Sequence, residues 1–366
     1  MLSFYLIWSS SYFTALWWMS RFWLQKPNSS LNQAFFPKVT LIIPFRNEVL
    51  NIPTLSESLS RLRYPNLQVL LIDDHSEDLS FQYLEKWFEG NDTVEVLSSS
   101  LPGKKAAVEF GVKRASGEII LCSDADCIFP ELWVQGMVLP FQNPEIQLVA
   151  GPVMVEERRG FLPAFQSLDW ASILLMSAYS FAGKKPLMCS AANLAYRKTA
   201  FQKVQGYEGN RQFLSGDDEF LMKKIAHQFG GVSCHYLSSS DPLVVTKAEA
   251  SWSDFIAQRV RWASKWRAHA SVSHGLSAAA TFLTQVIWVG SFYLISLGGK
   301  GLLGIVFVWL VKIGSERLGL GKVLKTLGRS PSPLSFLKTS FVHPFYVLRV
   351  GIGALGGKIS WKGRSN

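Results

Sequence analysis

The sequence predicts an α/β domain built on a mostly parallel sheet and flanked by membrane-spanning helices. Three observations carry that expectation. Between residues 38 and 270, five short apolar runs alternate with helix-like stretches, the pattern of a parallel sheet covered on both faces. Residues 1–20 and 275–299 hold no charged side chain, and twenty helical residues reach the ~30 Å thickness of a hydrocarbon core. The third observation is charge. The 366 residues are 48% hydrophobic and 17% charged, with a formal net charge of +10, where soluble domains carry about 25% charged residues. Residues 1–270 hold 26 basic and 26 acidic side chains, whereas residues 271–366 hold 11 basic ones and a single acid, Glu316. So apolar a chain is not disordered. An excess charge confined to an apolar tail points away from nucleic acid and toward a membrane surface.

Taken in order, residues 1–24 form an expected anchor that ends near Arg21 and Lys26. It lacks the basic start and small-residue cleavage site of a secretory signal, and Trp17, Trp18 and Trp23 suit an interfacial belt. Met1 then lies outside and the chain after Arg21 in the cytoplasm. Strands are expected at 39–45, 69–73, 94–98, 118–124 and 146–155. Helices are expected near 51–62, 80–89, 104–115, 130–142, 161–182 and 252–270. Residues 275–299 are long enough for a second crossing, and 301–311 can return if Lys312 snorkels. Residues 334–357 are apolar but interrupted by Lys338, Pro344 and Arg349. Both 312–329 and the Lys358, Lys362 and Arg364 tail are basic and favour the cytoplasm, so 334–357 is expected to be interfacial or re-entrant. The 275–366 region thus holds about two spans plus that segment. Cys122, Cys127, Cys189 and Cys234 show no metal or disulfide spacing and read as free thiols.

In open parallel sheets ligands bind beyond the carboxyl ends of the strands. Pro44-Phe45-Arg46-Asn47-Glu48 follows the first strand, Asp73-Asp74-His75-Ser76 the second, and Asp124-Ala125-Asp126 the fourth. Acids gathered on one edge need a cation or polar ligand to offset their repulsion. Two carboxylates one residue apart can face a hard divalent ion together with phosphate oxygens, which makes Asp124 and Asp126 the metal candidates; the alternative is a turn rich in solvated aspartates. Gly103-Lys104 opens a helix, a place suited to a diphosphate. Asp217 and Asp218 precede the helical run LMKKIAHQF; they either cap it or supply a general base. On a helix Gln258, Arg261 and Trp262 share one face, offering an amide, a guanidinium and an indole to a ligand, unless the helix simply lies on a membrane surface.

This order of motifs resembles the membrane-associated inverting glycosyltransferases of family 2, the group of cellulose, chitin and hyaluronan synthases and ceramide glucosyltransferase. The matching residues are Pro44 to Glu48, Asp73 to Ser76, Gly103-Lys104, Asp124 to Asp126, Asp217-Asp218 with Leu221, and Gln258 to Trp262, spread over residues 38–270. The resemblance implies a GT-A fold, a UDP-sugar donor and Mg²⁺ or Mn²⁺ held at Asp126 with Asp124. It implies Asp218 as base beside Asp217, and Arg261 offsetting charge on the departing diphosphate. Pro44, Glu48, Asp73, Asp74, Lys104, Asp124, Gln258 and Trp262 fall on the donor side. Asn193, in Ala192-Asn193-Leu194, matches the family's acceptor-side segment. Asp217 stands where the family's E-D variant has Glu, and Glu109 where many relatives have Asn. Trp361-Lys362-Gly363-Arg364 is similar to the close of lipid-glycosylating members.

The expected activity is therefore transfer of a sugar from a UDP-sugar to an acceptor hydroxyl, on a lipid, by an integral protein of a bacterial inner membrane whose catalytic domain is cytoplasmic. The alternatives are extension of a glycan by a processive synthase, or a non-catalytic membrane protein that binds nucleotide sugars. Gly351 to Gly356 matches G-x-G-x-x-G literally, but no acid follows Glu316, so helix packing is the better account than a dinucleotide site.

Overall fold

A computed structural model describes residues 1–23, 34–211, 213, 216–264, 272–356, 360–361 and 364–365. The strands are β1 (Val39–Phe45), β2 (Leu67–Asp73), β3 (Val94–Ser98), β4 (Ile119–Cys122), β5 (Cys127–Ile128), β6 (Leu148–Ala150), β7 (Val153–Val155), β8 (Leu194–Arg197), β9 (Cys234–Tyr236), β10 (Val244–Thr246), β11 (Ser360–Trp361) and β12 (Arg364–Ser365). The helices are α1 (Leu2–Ser20), α2 (Ile52–Ser60), α3 (Ser80–Trp87), α4 (Lys104–Arg114), α5 (Trp133–Val138), α6 (Phe161–Ala182), α7 (Lys198–Lys203), α8 (Asp217–Phe229), α9 (Trp252–Ala263), α10 (Val272–Gly290), α11 (Gly298–Thr326) and α12 (Pro333–Leu355). The basic side chains Lys26, Lys358 and Lys362, on which the expected topology drew, lie outside the described residues.

The chain divides into two compact units. One comprises Gln25–Glu156, Ser180–Lys247 and Ser360–Asn366, and the other Met1–Leu24, Glu157–Tyr179 and Ala248–Ile359. The first holds a seven-stranded sheet in the order β3-β2-β1-β4-β8-β6-β9. β1, β2, β3 and β4 run parallel, β8 is antiparallel to β4 and β6, and β9 is parallel to β6. All seven residues of β1 are buried, which is why it reads as a continuous apolar run and not as an alternation.

The run 146–155 is not one strand. It breaks at Gly151-Pro152, so that β6 joins the large sheet while β7 joins a small one of order β5-β10-β7. The break has a packing cause: a Cβ on Gly151 would fall 2.4 Å from the Asn193 amide nitrogen. Proline beside it supplies no backbone donor to continue a ladder.

The second unit is helical. α1 packs on α11, and Tyr5, Trp288, Leu294, Ile305, Val308 and Trp309 form a core among α1, α10, the 3-10 turn Ser291–Leu297 and α11. The turn ends at Gly298, whose φ of +69° reverses the chain into α11. A second core of Phe165, Phe255, Tyr346 and Val350 joins α6, α9 and α12. Among the described residues, Gly275–Thr326 is the stretch long and apolar enough to cross a membrane by length and composition. Two expectations about side chains are corrected here. Lys312 does not snorkel; it is 1% exposed, pairs with Glu316 one turn on, and donates to the Ser340 carbonyl at 3.0 Å. Trp23 is fully buried and belongs to no interfacial belt, unlike the exposed Trp17 and Trp18. The G-x-G-x-x-G stretch lies within and at the end of α12, where a Cβ on Gly351 or Gly353 would come 2.7 Å from Phe282 or Val260. Its glycines serve close helix packing.

Candidate active site

The carboxyl ends of β1, β2 and β4 sit side by side in register, with Phe45 beside Asp73 and Ile42 beside Cys122. Each strand is followed by a polar loop. Asn47 and His75 adopt left-handed φ of 52° and 58°, a conformation open to short polar residues that bond locally. Asn47 donates its N–H to the Ser76 hydroxyl at 3.1 Å, and its side-chain oxygen accepts from the Glu77 N–H at 2.8 Å. Arg46 spans the same two loops, reaching the Asp74 carbonyl at 3.1 Å and the Glu77 carboxylate at 2.8 Å. Pro44 lies within β1. Glu48 accepts a hydrogen bond from Asn51, which in turn accepts one from Lys247.

Asp73 and Asp74 are buried. Asp73 accepts the Ser76 N–H at 3.0 Å, closing its own turn, and Asp74 accepts the Gly103 N–H at 2.6 Å. That second bond fixes the start of α4 against the end of β2. Gly103, at φ +110°, hands the chain to Lys104, the first residue of α4.

Lys104 is the hinge of the cluster. Its ammonium lies 2.7 Å from Asp124 and 2.9 Å from Asp217. Burial disfavours the charge, but the two carboxylates outweigh it and hold the Lys104 pKa well above the ordinary amine value. Burial, with Asp126 and Asp217 near, raises the Asp124 carboxyl above its ordinary value against the pull of Lys104. Asp126 accepts from the Thr246 hydroxyl at 3.1 Å, so β10 orients the second acid of the pair. Gly216, at φ +87°, turns the chain into α8. There Asp218 accepts the Glu219 N–H at 2.7 Å and the Ala191 N–H at 3.3 Å. The structure therefore brings Asp124, Asp217 and Lys104 together, with Asp126 and Asp218 next to them in sequence.

Asn193 occupies a different place from an acceptor-facing residue. It is fully buried. Its amide donates to the Pro152 and Pro242 carbonyls at 2.8 and 2.7 Å, and its oxygen accepts from Trp133 Nε1 at 3.0 Å. These bonds use both donors and brace the loops at Pro152 and Pro242 against α5. Gln258, Arg261 and Trp262 lie on α9 in the helical unit. There Gln258 donates to Glu249 at 2.6 Å, and Trp262 packs edge-on to Trp170 with centroids 5.5 Å apart.

Four side chains had no expected role from the sequence. Lys105 is buried and donates to the Asn210 and Phe213 carbonyls at 2.7 and 3.0 Å, anchoring the loop that leads to Asp217. Glu109 pairs with Arg211 at 3.0 Å in the same loop. Thr246 and Arg259 complete the set. Lys105 and Arg259 adjoin motif residues and Glu109 follows the Gly103-Lys104 helix start, whereas Thr246 has no motif beside it in sequence.

Among the described residues no cluster of three His, Cys, Asp or Glu side chains is placed to hold a metal ion. Two carboxylates suffice, however, for an ion whose remaining ligands are water and phosphate oxygens. Asp124 and Asp126 fit that donor set, Asp126 oriented by Thr246.

Residues 40–205 match the family described as Glycosyl transferase family 2. The poly-beta-1,6-N-acetyl-D-glucosamine synthase of Staphylococcus aureus strain COL is 25% identical over 244 residues, covering 65% of this chain and 56% of that protein. The protein of the same name from Staphylococcus epidermidis is 26% identical over 172 residues, 46% of this chain and 41% of that one. The chain thus spans little more than half the length of the first relative. Among solved structures, the mannosyltransferase PcManGT from Pyrobaculum calidifontis, in complex with GDP-Man and Mn²⁺, superposes with a TM-score of 0.59 at 18% identity. The match covers 97% of this chain and 99% of that one. That likeness establishes the GT-A-like fold.

Proposed function

Because residues 40–205 match Glycosyl transferase family 2, we propose that the chain transfers a sugar, with inversion, from a UDP-sugar to an acceptor hydroxyl on a lipid at the cytoplasmic face of a membrane. The observation that carries this reading is the Lys104 bridge, which joins the strand-end carboxylate Asp124 to the acid pair at the start of α8. A donor-side acid and a base-side acid are thereby held by one cation.

In this reading Lys104 and the helix start at Gly103 receive the donor diphosphate. One opposite unit charge at 4 Å supplies ~4 kcal/mol at an effective dielectric of 20. Asp124 and Asp126 would hold a divalent ion, which would supply positive charge to the diphosphate as it leaves. Asp218 takes the proton from the acceptor hydroxyl as its oxygen attacks the anomeric carbon from the face opposite the diphosphate. Its carboxylate is kept in place by the Ala191 and Glu219 N–H groups, while Asp217 is committed to Lys104. The apolar stretch Gly275–Thr326 supports attachment to a membrane, with α1 as the proposed anchor.

The relatives favour a second reading, in which the acceptor is a growing N-acetylglucosamine polymer. The test is nucleotide release by the full chain in lipid nanodiscs, with UDP-glucose, UDP-N-acetylglucosamine and GDP-mannose as donors. Expected is UDP release, with radiolabel entering the lipid phase. Label in a high-molecular-weight polymer would establish the second reading. Asp218→Asn is expected to keep UDP binding and lower transfer by about 10²–10⁴-fold; near-normal turnover would remove Asp218 as base.

A further inference from the structure

The two acids after β4 are each held through one carboxylate oxygen. Asp124 Oδ1 lies 2.7 Å from the Lys104 ammonium. Asp126 Oδ2 accepts from the Thr246 hydroxyl at 3.1 Å. Asp126 Oδ1 meets the Cys127 thiol at 3.6 Å, and a thiol is a weak donor. Among the described residues Asp124 Oδ2 accepts no hydrogen bond.

Thr246 is pinned on both sides. It lies in β10, the middle strand of the small sheet β5-β10-β7, opposite Cys127 on one neighbour and Val155 on the other. Its carbonyl accepts the Glu156 N–H at 2.8 Å, and its branched Cβ restricts the side-chain rotamer. Asp126 immediately precedes β5, and the Cys127 N–H closes its turn on the Asp124 carbonyl at 3.3 Å. The hydroxyl therefore fixes which oxygen of Asp126 is engaged and which is open. This matters because divalent ions differ in what they ask of a carboxylate. Mg²⁺ demands near-ideal octahedral geometry and takes one or two carboxylates with water and phosphate oxygens, whereas Ca²⁺ gathers more oxygens in looser geometry and accepts carboxylates through both of theirs.

We infer that Thr246 is a positioning residue that sets ion selectivity. By engaging Oδ2 of Asp126 it leaves the pair Asp124 and Asp126 one open oxygen each, a donor set for Mg²⁺ or Mn²⁺ and against Ca²⁺. The inference rests on the reading above that this pair holds a divalent ion. Without the hydroxyl, Asp126 is free to offer both oxygens. Valine keeps the branched shape of threonine and loses the donor, whereas serine keeps the donor.

The test reads ion binding and not turnover. The full chain in lipid nanodiscs, with UDP present, is titrated with Mn²⁺, and free ion is followed by electron paramagnetic resonance. Mg²⁺ and Ca²⁺ are then added as competitors. In the parent, Ca²⁺ is expected to displace Mn²⁺ about tenfold less well than Mg²⁺ does. T246V is expected to weaken Mn²⁺ by about tenfold, as when a ligand loses its outer partner, and to close most of the gap between Mg²⁺ and Ca²⁺. T246S is expected to stay within about twofold of the parent in both respects. T246A removes the same hydroxyl and repeats the comparison should T246V fail to fold. Unchanged selectivity in T246V and T246A overturns the inference, as does a loss shared alike by all three ions, and so does a T246S that behaves as T246V. A parent that binds Mn²⁺ but admits Ca²⁺ as readily as Mg²⁺ removes the inference alone. A parent that binds no Mn²⁺ beside UDP removes the metal reading, and the inference with it.

Discussion

The Lys104 ammonium lies 2.9 Å from the Asp217 carboxylate, tying the first residue of α4 to the first residue of α8. The same ammonium reaches Asp124, so removing it leaves two acids uncompensated. Lys104→Met is expected to abolish measurable transfer and to cost about 3 kcal/mol of stability. The sign of the pH dependence follows from the direction of the shift. A lysine whose pKa is raised in the folded state contributes fully below the unfolded amine value and loses that contribution only as pH rises through the folded value. The stability gap between parent and variant should therefore stay constant from about pH 7 to 9.5 in chemical unfolding monitored by fluorescence. A gap that shrinks across that range would place the lysine outside the bridge.

Asp126 is predicted to govern metal-dependent nucleotide binding. Asp126→Asn should weaken UDP affinity about tenfold or more in the presence of Mn²⁺ and leave the weak affinity seen in EDTA unchanged. Calorimetry of UDP binding with and without chelator reads both arms. An affinity indifferent to EDTA would show that the pair Asp124 and Asp126 holds no ion.

The Lys312–Glu316 pair, bonded also to Ser340 and to Tyr12, joins α1, α11 and α12 through one buried polar cluster. Breaking it from one side is costly: Lys312→Met leaves a buried carboxylate uncompensated and should lose about 3–5 kcal/mol. The double change K312M/E316L should recover most of that loss, because a buried ion pair is often no better than apolar side chains of similar volume. Thermal unfolding in detergent compares the two. Equal destabilisation of single and double variants would mean that Glu316 is held by its other partners.

Three of the four thiols should be inert in the native protein. Burial pushes Cys122 and Cys234 up to about 12 and holds Cys127 well above the ordinary value. At pH 8 a thiol of pKa 12 is thiolate about one part in ten thousand, and the thiolate is the reactive form. Expected is modification of Cys189 alone by a maleimide in native buffer, and of all four in denaturant, read by mass spectrometry. Rapid native labelling of Cys122 would show that the carboxyl end of β4 opens.

Much of the sheet was legible because burial leaves a mark in composition. β1 has the expected bounds since all its residues are buried, and nothing about its neighbours was needed to see that. The 146–155 run failed because apolar content does not register that Gly151 must make room for Asn193. The acids were legible as motifs, since each closes a strand or opens a helix. Their grouping was not: Lys104 and Asp217 are far apart in the chain, and only the order β1-β4-β8 brings their elements together. On α9 two arginines two residues apart look alike in sequence. Which is buried depends on Asp169, contributed by a helix from an earlier segment.

The helical unit is assembled from three separated pieces of chain, and this sets an order of events during synthesis. Phe165 on α6 is complete long before Tyr346 on α12, the ring it packs against at 5.1 Å. At roughly 5–20 residues per second, about 180 residues of translation leave that aromatic face waiting roughly 10–40 s for its partner. Phe255 waits for the same ring. A fragment stopped at residue 270 would keep both faces exposed for good. Attempts to excise the sheet-bearing part as a soluble enzyme should therefore either retain α12 or replace the aromatic side chains that depend on it.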